Sequence, residues 1–326
     1  MMISVAMCTY NGEKYLAEQL ESILRQDHPV DELVVCDDGS SDRTIAILNE
    51  FAQKAPFVVG IHVNEKNIGS TKNFEKALTL CQGDILILCD QDDLWKPHKV
   101  SRQVSYLEEH PEIDAVFSNG DLINEVGEKQ DLKLWDSIGF YEDKQHKWKM
   151  GGAREILFEG YVVTGATLAL RKRCLQLVCP FPVDLGPFIH DAWIALVLSL
   201  SNKINFIEEE LISYRVHETQ QVGFGPKIKK ITLKDRIQRT REEKLAPIIY
   251  KANLLKNVYE RLSEVKGLDP QSYAPLKEIQ EHYRVRATLP ANRLYRIKPA
   301  LSEFLKGRYT YSSEHWWLPL LGDLFE

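Results

Sequence analysis

The sequence predicts an α/β fold with a mostly parallel, Rossmann-like sheet, followed by a basic helical region at the C-terminus. Two observations predict it. Strand-like runs alternate with amphipathic helical patterns over roughly the first 120 residues, and polar clusters follow the strands. The alternation is typical of βαβ units, in which ligands collect at the carboxyl ends of the strands.

The predicted elements follow one another in the order that a βαβ sheet requires. The strands are ISVAMC (3–8), ELVVC (32–36), FVVGIHV (57–63), DILILC (84–89) and DAVFS (114–118). Helices are predicted between them because apolar residues recur there at spacings of three and four. That spacing is found at Leu16, Leu20, Ile23 and Leu24, at Phe74, Ala77, Leu78 and Cys81, and at Val100, Val104 and Leu107.

The pattern changes further along the chain. Residues 120–160 are polar and irregular, which predicts a mobile excursion over the sheet edge. VVTGATLALRK (162–172) regains strand-like character, and HDAWIALVLSL (190–200) is predicted to be a buried helix. After Pro226 the pattern is helical to about residue 310 and ends in an aromatic tail.

Charge divides the chain at the same place. The formal net charge is -6, yet residues 226–310 carry 20 Lys and Arg against 9 Asp and Glu, while the remaining residues carry 21 against 38. An acidic chain of this kind is not predicted to bind nucleic acid. With 326 residues, two domains are expected, 1–225 and 226–326.

The cysteines and the N-terminus predict the compartment. The six Cys residues form no C-x-x-C pair and lie mostly in or beside apolar runs, which favours reduced thiols in the cytoplasm. The chain begins directly with a strand-like run, without a basic leader, and its longest apolar runs fall short of the ~20 residues that a membrane span requires. We therefore expect a cytoplasmic protein without a span.

The stretch ILCDQDDLW places three carboxylates, Asp90, Asp92 and Asp93, directly after a predicted strand. Carboxylate oxygens are preferred ligands of Mg²⁺ and Mn²⁺, which leave coordination sites for phosphates. The stretch therefore predicts a divalent cation beside a phosphorylated ligand. The alternative is a solvated turn in which Asp93 caps the following helix.

Neither a P-loop nor a G-x-G-x-x-G fingerprint follows the first strand, so a nucleotide would be held by side chains. Candidates from the first two strand ends supply a hydroxyl, an aromatic ring and carboxylates; they are Thr9, Tyr10, Asn11, Glu13 and Asp38. The alternative is local: Thr9 or Asn11 caps a helix, and residues 37–42 form a turn.

Four motifs in order resemble family 2 glycosyltransferases over about residues 2–225. They are T-Y-N-x-x-x-Y-L, D-D-G-S-S-D-x-T, N-x-G-x-x-x-N-F and D-Q-D-D-x-W-x-P-x-K. The resemblance implies a GT-A fold and a nucleotide-diphosphate sugar donor. CDQDDLWKPHK together with YRVHETQQVG (214–223) further resembles bacterial rhamnosyltransferase-like members that build cell-surface polysaccharides. This implies L-rhamnose, donated by dTDP-rhamnose.

The resemblance also implies site residues. The donor-binding set is Thr9, Tyr10, Asn11, Glu13, Asp38, Asn67, Lys72, Asn73, Asp90, Gln91 and Arg215, and the metal set is Asp92, Asp90 and His217. The catalytic base of the family lies in an E-D or D-D pair near a helix start; here the pair is His190-Asp191, which leaves Asp191 as the base. The alternatives are that Asp191 only caps its helix and that His217 is structural.

The implied reaction is an inverting, metal-dependent transfer to a hydroxyl of a growing glycan such as O-antigen or capsule. A UDP- or GDP-hexose donor is the first alternative, and a non-catalytic sugar-nucleotide-binding protein is the second. A haloacid dehalogenase-type phosphatase is disfavoured because the acidic motif follows the fourth strand. A pyrophosphorylase is disfavoured because TYNGEKYL lacks its Gly- and Arg-rich loop.

Two regions remain for the partners. Residues 218–226 are expected to form a lid over the site. The basic C-terminal region and its HWWLPLLGDLF tail are expected to bind an anionic membrane surface at the inner face of the cell membrane, where lipid-linked glycan acceptors grow. The alternative is that this region packs on the catalytic domain or forms a homodimer.

Overall fold

A computed structural model describes residues 1–217, 240–312 and 315–325 of the chain. The predicted lid at 218–226 lies outside the described residues. Clustering of the Cα positions divides the chain into two compact units, Met1–Phe224 and Gly225–Glu326. Each unit is described by itself below.

The first unit is built on a nine-stranded sheet, counted over the described residues. The strands are β1 (Ile3–Thr9), β2 (Glu32–Asp37), β3 (Val58–Val63), β4 (Ile85–Cys89), β5 (Leu94–Trp95), β6 (Ala115–Ile123), β7 (Lys129–Lys133), β8 (Ala169–Arg171) and β9 (Ile204–Arg215). Their order across the sheet is β3-β2-β1-β4-β8-β6-β9-β5, and β7 pairs with β6.

The first four strands form the parallel part of the sheet, as the apolar runs predict. β1 pairs in parallel with both β2 and β4, and β2 pairs in parallel with β3. Register places Thr9 beside Asp37, and Met7 beside Cys89. The polar residues that follow β1, β2 and β4 are therefore brought to one edge of the sheet. Beyond β4 the sheet is mixed, because β8 runs antiparallel to both β4 and β6.

Nine α-helices are described in the first unit. They are α1 (Leu16–Leu24), α2 (Thr44–Ala52), α3 (Ser70–Leu80), α4 (Lys99–Glu109), α5 (Leu134–Ile138), α6 (Glu142–Lys147), α7 (Ala153–Glu159), α8 (Leu175–Val178) and α9 (His190–Ser199). The predicted apolar faces of α1, α3 and α4 are buried. α9 is the predicted buried helix, and every residue in it is buried except Asp191.

The prediction of a mobile excursion at 120–160 is wrong. The segment contains the end of β6, then β7 and α5 to α7, and its Trp and Phe side chains are buried. Trp135, Phe140 and Trp148 pack edge-on around Phe117 of β6 and Phe206 of β9. Aromatic rings of this size bury enough apolar surface to order a segment whose remaining residues are polar.

The long strand β9 pairs with two strands, β6 and β5. It pairs in parallel with β6, with register shifts between Ser118 and Gly120, and its last residues pair antiparallel with β5. β5 immediately follows the acidic turn at 90–93. The end of β9, which carries Arg215, therefore lies beside that turn, although it is distant from it in the sequence.

The second unit is helical, as the sequence predicts. Its described helices are α10 (Arg241–Glu264), α11 (Pro270–Ala287), α12 (Arg293–Leu305) and α13 (Trp317–Phe325), with a 3-10 turn at Arg308–Tyr311. The side chains of Thr240, Asp269 and Asn292 each accept a backbone N–H at the start of a helix. Such caps satisfy donors that a helix leaves unpaired.

Charged side chains form much of the interior between α11, α12 and α13. Asp323 accepts hydrogen bonds from Arg286 Nε at 2.7 Å and from the Tyr309 hydroxyl at 3.0 Å. His282 Nδ1 lies 2.9 Å from Glu303 Oε2, and both side chains are buried. Over the described residues, no helix combines the length and apolar character needed to cross a bilayer.

Candidate functional site

The acidic turn after β4 concentrates carboxylates with little positive charge. Asp90 and Asp92 are partly exposed, whereas Asp93 is buried. Burial raises the pKa of Asp90, and the nearby carboxylates of Asp92 and Asp191 raise it further. Burial, followed by Asp92 and Asp90, also raises the pKa of Asp93. Burial and, after it, the repulsion between neighbouring carboxylates both disfavour the charged forms, and a bound cation would offset both.

His217 contacts this turn directly. Its Nε2 lies 2.8 Å from Oδ2 of Asp92, and its side chain is only 7% exposed. The imidazole ring lies 5.2 Å, centroid to centroid, from the ring of Tyr15. An imidazole nitrogen and a carboxylate oxygen held this close are both available to one divalent ion.

Asp92 and His217 are thus in contact, and Asp90 belongs to the same turn, but the three side chains do not form a complete cage. In the described part of the chain, no group of three or more His, Cys, Asp or Glu side chains is arranged to hold a metal ion. Mg²⁺ is bound in many phosphate sites by one or two carboxylates, with phosphate oxygens and water filling the remaining positions. The donors Asp90, Asp92 and His217 fit that type of site.

Arg215 is buried beneath the turn and is surrounded by protein acceptors. Its Nε donates to the backbone oxygen of Asp92 at 2.8 Å, and Nη2 donates to the carboxylate of Glu18 at 2.7 Å. Its backbone N–H donates to Asp93 Oδ1 at 2.9 Å, and its guanidinium lies 4.5 Å from the Tyr15 ring centroid. These contacts position the acidic turn, and the diphosphate contact expected of Arg215 stays a prediction.

Asp191 lies in the first turn of α9, close enough to the acidic turn for its charge to raise the pKa of Asp90. Its carboxylate accepts from Gly165 N at 2.8 Å and from Ala192 N at 2.7 Å, so it also has the capping role that sequence reasoning left open. A Cβ on Gly165 would come within 2.9 Å of His190 Nε2 and 3.3 Å of Asp191 Oδ2. The absence of a side chain at 165 therefore allows this close approach.

His190, the preceding residue, is buried rather than available to a substrate. Its ring stacks on Phe74 with centroids 4.2 Å apart, and burial lowers its pKa. Nδ1 of His190 has no hydrogen-bond partner among the described residues. The carboxylate of the His190-Asp191 pair is thus the half-exposed member, at the edge of the acidic site.

Three predicted donor-binding residues, Thr9, Asn11 and Glu13, connect the ends of β1 and β2. The Thr9 hydroxyl donates to Asp37 at 2.8 Å, and Asn11 Oδ1 accepts from Ser41 N at 2.9 Å. Glu13 accepts from Arg43 N at 3.0 Å. Tyr10 is 49% exposed. These residues form the loop that faces solvent at the sheet edge.

Asp38 is buried and holds the loop before α3. Its carboxylate accepts from Ile68 N at 2.8 Å, from Gly69 N at 2.9 Å and from the Asn64 side chain at 2.9 Å. Asn73 is buried as well, and its amide nitrogen donates to the backbone oxygen of Cys36 at 2.7 Å. Both side chains thus hold the loop before α3 and the end of β2, and their role in donor binding stays a prediction.

The remaining predicted donor residues lie near the start of α3. Asn67 is exposed, and its side-chain oxygen accepts from Gly69 N at 3.0 Å. The Lys72 ammonium pairs with Glu75 at 3.0 Å. Neither contact connects these residues to the acidic turn, so their role in donor binding stays a prediction.

Gln91 joins the acidic turn to the β1 loop. Its Oε1 accepts from Tyr10 N at 2.9 Å, and its Nε2 donates to Tyr10 O at 3.1 Å. A Cβ on Gly12 would lie 2.2 Å from Gln91 Oε1, so glycine is required for this approach. The two-bond clamp fixes the distance between the predicted nucleotide side and the predicted metal side.

Several residues at the site were missed by sequence reasoning. Glu18, on α1, and Tyr15, directly before α1, both contact Arg215. Glu18 lies 197 positions from Arg215 in the chain, and no local pattern indicates such a pairing. Lys99 is fully buried; burial lowers its pKa to about 7, although the charge of Asp93 opposes the shift. Burial beside Asp93 and Asp90 raises the pKa of Tyr214, which keeps its phenol protonated.

Comparison with known proteins identifies the family. The model described as glycosyl transferase family 2 matches residues 4–175, more than half of the chain. An uncharacterized protein of Mycobacterium bovis is 37% identical over 130 residues, which are 39% of this chain and 37% of the relative. The chain therefore matches well under half the length of that relative.

Two further comparisons cover more of the chain. An uncharacterized glycosyltransferase of Methanocaldococcus jannaschii is 28% identical over 217 residues, 66% of this chain and 71% of the relative. The solved structure of S. aureus TarS 1-349 in complex with UDP-GlcNAc has a TM-score of 0.55 at 17% identity, with 95% of this chain and 93% of that chain covered. The predicted GT-A, α/β fold is confirmed by this likeness.

Proposed function

The chain belongs to glycosyl transferase family 2, and from that premise we propose that it transfers a sugar from a nucleotide-diphosphate sugar to a hydroxyl of a growing cell-surface glycan, such as O-antigen or capsule. The observation that carries the proposal is the meeting of Asp92 and His217, 2.8 Å apart, beside Asp90 and Asp191. This grouping supports a cation site at the carboxyl end of β4, with a base at the start of α9.

The divalent cation is proposed to bind at Asp90, Asp92 and His217. When bound, Mg²⁺ or Mn²⁺ neutralises the charge that develops on the departing diphosphate. Arg215 holds the turn from below through the Asp92 backbone oxygen, and it binds Asp93 through its own backbone N–H. Gln91 holds the turn from the other side through its clamp on Tyr10.

Asp191 is proposed to be the general base. Its carboxylate takes the proton from the acceptor hydroxyl as that oxygen attacks the anomeric carbon, and a single displacement inverts the configuration there. The hydrogen bonds from Gly165 N and Ala192 N fix the carboxylate at the start of α9. Fixed geometry of this kind favours proton transfer, because less reorganisation is needed during the reaction.

The donor is proposed to be dTDP-L-rhamnose, with a UDP- or GDP-hexose as the alternative. The exposed Tyr10 ring is available to stack on the base, and Asn11 and Glu13 lie beside it. Asp38 holds the loop before α3, and Asn73 holds the end of β2. A sugar-nucleotide donor agrees with TarS, the GT-A neighbour whose solved complex holds UDP-GlcNAc. The proposed place of action is the cytoplasmic face of the cell membrane.

Thermal-shift measurements with dTDP-rhamnose, UDP-hexoses and GDP-hexoses test the donor. A ligand that binds the folded protein raises the unfolding midpoint, and we expect the largest rise with dTDP-rhamnose in the presence of Mn²⁺. A rise with UDP- or GDP-sugars alone would establish the alternative donor. Donor binding without turnover on any glycan acceptor would instead support a non-catalytic binding protein.

A further inference from the structure

The helix α12 is amphipathic in the opposite sense to a helix of an ordinary water-soluble domain. Its buried face carries Arg296 and Glu303, whereas Leu294, Leu301 and Leu305 are 75%, 45% and 82% exposed. Surface helices of globular proteins normally turn their apolar stripe inwards. Three leucines on the outer face of one short helix therefore indicate a surface that is covered by something else.

The neighbouring helix α13 also exposes apolar side chains. Gly322 and Asp323 are its buried residues, while Trp317, Leu321 and Phe325 are 47%, 44% and 62% exposed. Trp316 and Phe304 link the two helices, with ring centroids 5.3 Å apart. We call the side chains of Leu294, Leu301, Leu305, Trp317, Leu321 and Phe325 the apolar face.

The inward charges are held by specific partners, so the two helices cannot simply rotate to hide the apolar face. Asp323 is bonded to Arg286, and Glu303 is paired with His282. Rotation of α12 or α13 would separate these buried pairs and leave unpaired charge behind, which is strongly unfavourable. The outward direction of the leucines is thus built into the interior of the unit.

Within the described residues of this stretch, 291–312 and 315–325, the exposed Lys, Arg, Asp and Glu side chains have one sign. Among the described residues from 291 to 325, the exposed charged side chains are Arg293, Lys298 and Lys306. The carboxylates of Glu303 and Asp323 in the same stretch are buried. Apolar and aromatic side chains bordered by exposed cations are typical of surfaces that lie in the interface of an anionic bilayer.

A second copy of the chain fits these charges less well. In a two-fold symmetric dimer the same patch meets itself, so the cations of one copy would approach those of the other. An anionic lipid surface presents the opposite charge to the same cations, together with an apolar interior for the leucines and tryptophans.

We propose that the apolar face binds the headgroup and acyl boundary of an anionic lipid bilayer, with Arg293, Lys298 and Lys306 against the lipid phosphates. The proposal names the surface for the membrane location given under the proposed function. It rests on that function only for the identity of the acceptor. Binding to lipid requires neither donor nor metal, so it can be measured independently of transfer.

Co-sedimentation of the full-length protein with vesicles tests the proposal. Vesicles of phosphatidylglycerol and phosphatidylcholine are compared with vesicles of phosphatidylcholine alone, at low and at high salt. We expect the protein to pellet with the anionic vesicles at low salt and to be released by high salt, because surface charge attraction is screened. Protein that remains in the supernatant with anionic vesicles at low salt would overturn the proposal.

Variants locate the surface. The double substitution Leu301→Gln and Leu305→Gln is expected to weaken binding at least tenfold, and so is Arg293→Glu with Lys298→Glu. The matched control is Ile249→Gln, which replaces a 43% exposed apolar residue on α10 of the same unit and should bind like the unaltered protein. Circular dichroism melting and donor thermal shifts show whether each variant is folded and retains the first unit's ligand site.

The outcomes separate the possible occupants. Unchanged vesicle binding by the folded leucine variant would overturn the proposal. A sedimentation-velocity change from dimer to monomer in that variant, without an effect on vesicle binding, would assign the face to a second copy instead. Loss of vesicle binding with intact donor binding supports the proposal, whereas failure of donor binding in the unaltered protein bears on the proposed function alone.

Discussion

The imidazole of His217 lies 2.8 Å from the carboxylate of Asp92, although 125 positions separate the two residues in the chain. The contact exists because β9 ends beside β5, which follows the acidic turn. It joins two sequence motifs of the proposed site, DQDD and YRVHET, that are far apart in the chain. The first predictions concern this pair.

Asp92→Ala is expected to remove metal-dependent donor binding and transfer together, because the donor diphosphate loses its counter-ion. His217→Ala should weaken the Mn²⁺ dependence in the same direction but less, since a carboxylate also carries charge. Isothermal titration with donor at fixed Mn²⁺ measures the donor affinity of both variants. The control is Asp131→Ala, an exposed aspartate on β7; unchanged donor affinity in Asp92→Ala would place the metal elsewhere.

Asp191→Asn is expected to slow transfer by roughly 10²-fold or more, because the amide keeps the shape of the side chain but cannot accept the proton. Its remaining oxygen can still accept from Gly165 N or Ala192 N, so α9 should stay in place. Single-turnover rates measure the step, and donor thermal shifts report binding. Near-normal rates with normal binding would transfer the role of base to another group.

Arg215→Met is expected to destabilise the first unit by about 2–4 kcal/mol, since the buried acceptors that Arg215 satisfies lose their donor. Those acceptors are the backbone oxygens of Asp92 and Glu125. Urea unfolding measures the change. The matched control is Arg25→Met, whose exposed pair with Glu21 should contribute roughly 0–1 kcal/mol. Equal effects of the two substitutions would contradict the positioning role.

Gly12→Ala is expected to weaken donor binding, because the new Cβ would lie 2.2 Å from Gln91 Oε1 and force the clamp on Tyr10 to open. Gly160→Ala is the control, since a Cβ there meets nothing within 4 Å. The Gln91→Ala background removes the clash, so Gly12→Ala should cost much less in that background. Additive losses of donor affinity would show that the clamp is not the cause.

His282 predicts a pH dependence of stability. Burial lowers its pKa below the ordinary value of 6.5, in spite of the hydrogen bond to Glu303. Below pH 6.5 the unfolded state therefore binds more protons than the folded state at this site, and stability falls as the pH falls. Well above pH 6.5 the histidine is neutral in both states and contributes no slope.

Thermal unfolding between pH 7 and pH 5 tests this expectation. His282→Gln removes the titrating group while leaving an amide that can still bond Glu303 or Ser312, the two partners of the imidazole. Its unfolding midpoint should depend less on pH than that of the unaltered protein. The same slope in both proteins would show that other groups cause the acid sensitivity.

The parallel half of the sheet was predictable because its signals are local. β1, β2 and β4 are buried throughout, and a continuous apolar run of five to seven residues is what such a strand requires. The polar residues after these strands could be placed at one edge for the same reason. The helices between them followed from apolar spacing.

The segment 120–160 could not be predicted in the same way. Its order depends on Trp135, Phe140 and Trp148, which are separated by polar residues and form short helices without a sustained period. Their contacts are with Phe117 and Phe206, far away in the sequence. A pattern read within a window of neighbouring residues does not contain such partners.

The site was predicted in its residue types more fully than in their roles. Asp92, His217 and Asp191 were candidates from the motifs; Asp92 contacts His217, the charge of Asp191 acts on Asp90, and their roles stay predictions. The burial of Arg215 and its bond to Glu18 depend on the docking of β9, which no local signal records. The same is true of the contacts that Asp38 makes with the loop before α3.

The late position of β9 has a consequence for biosynthesis. Asp93 binds the backbone of a residue 122 positions downstream, so a ribosome elongating at about 5–20 residues per second leaves the turn without that partner for roughly 6–25 s. The parallel strands can pair during this interval, while the carboxylates remain hydrated. In a nascent polypeptide the parallel strands can thus pair before the acidic turn acquires its contact with Arg215.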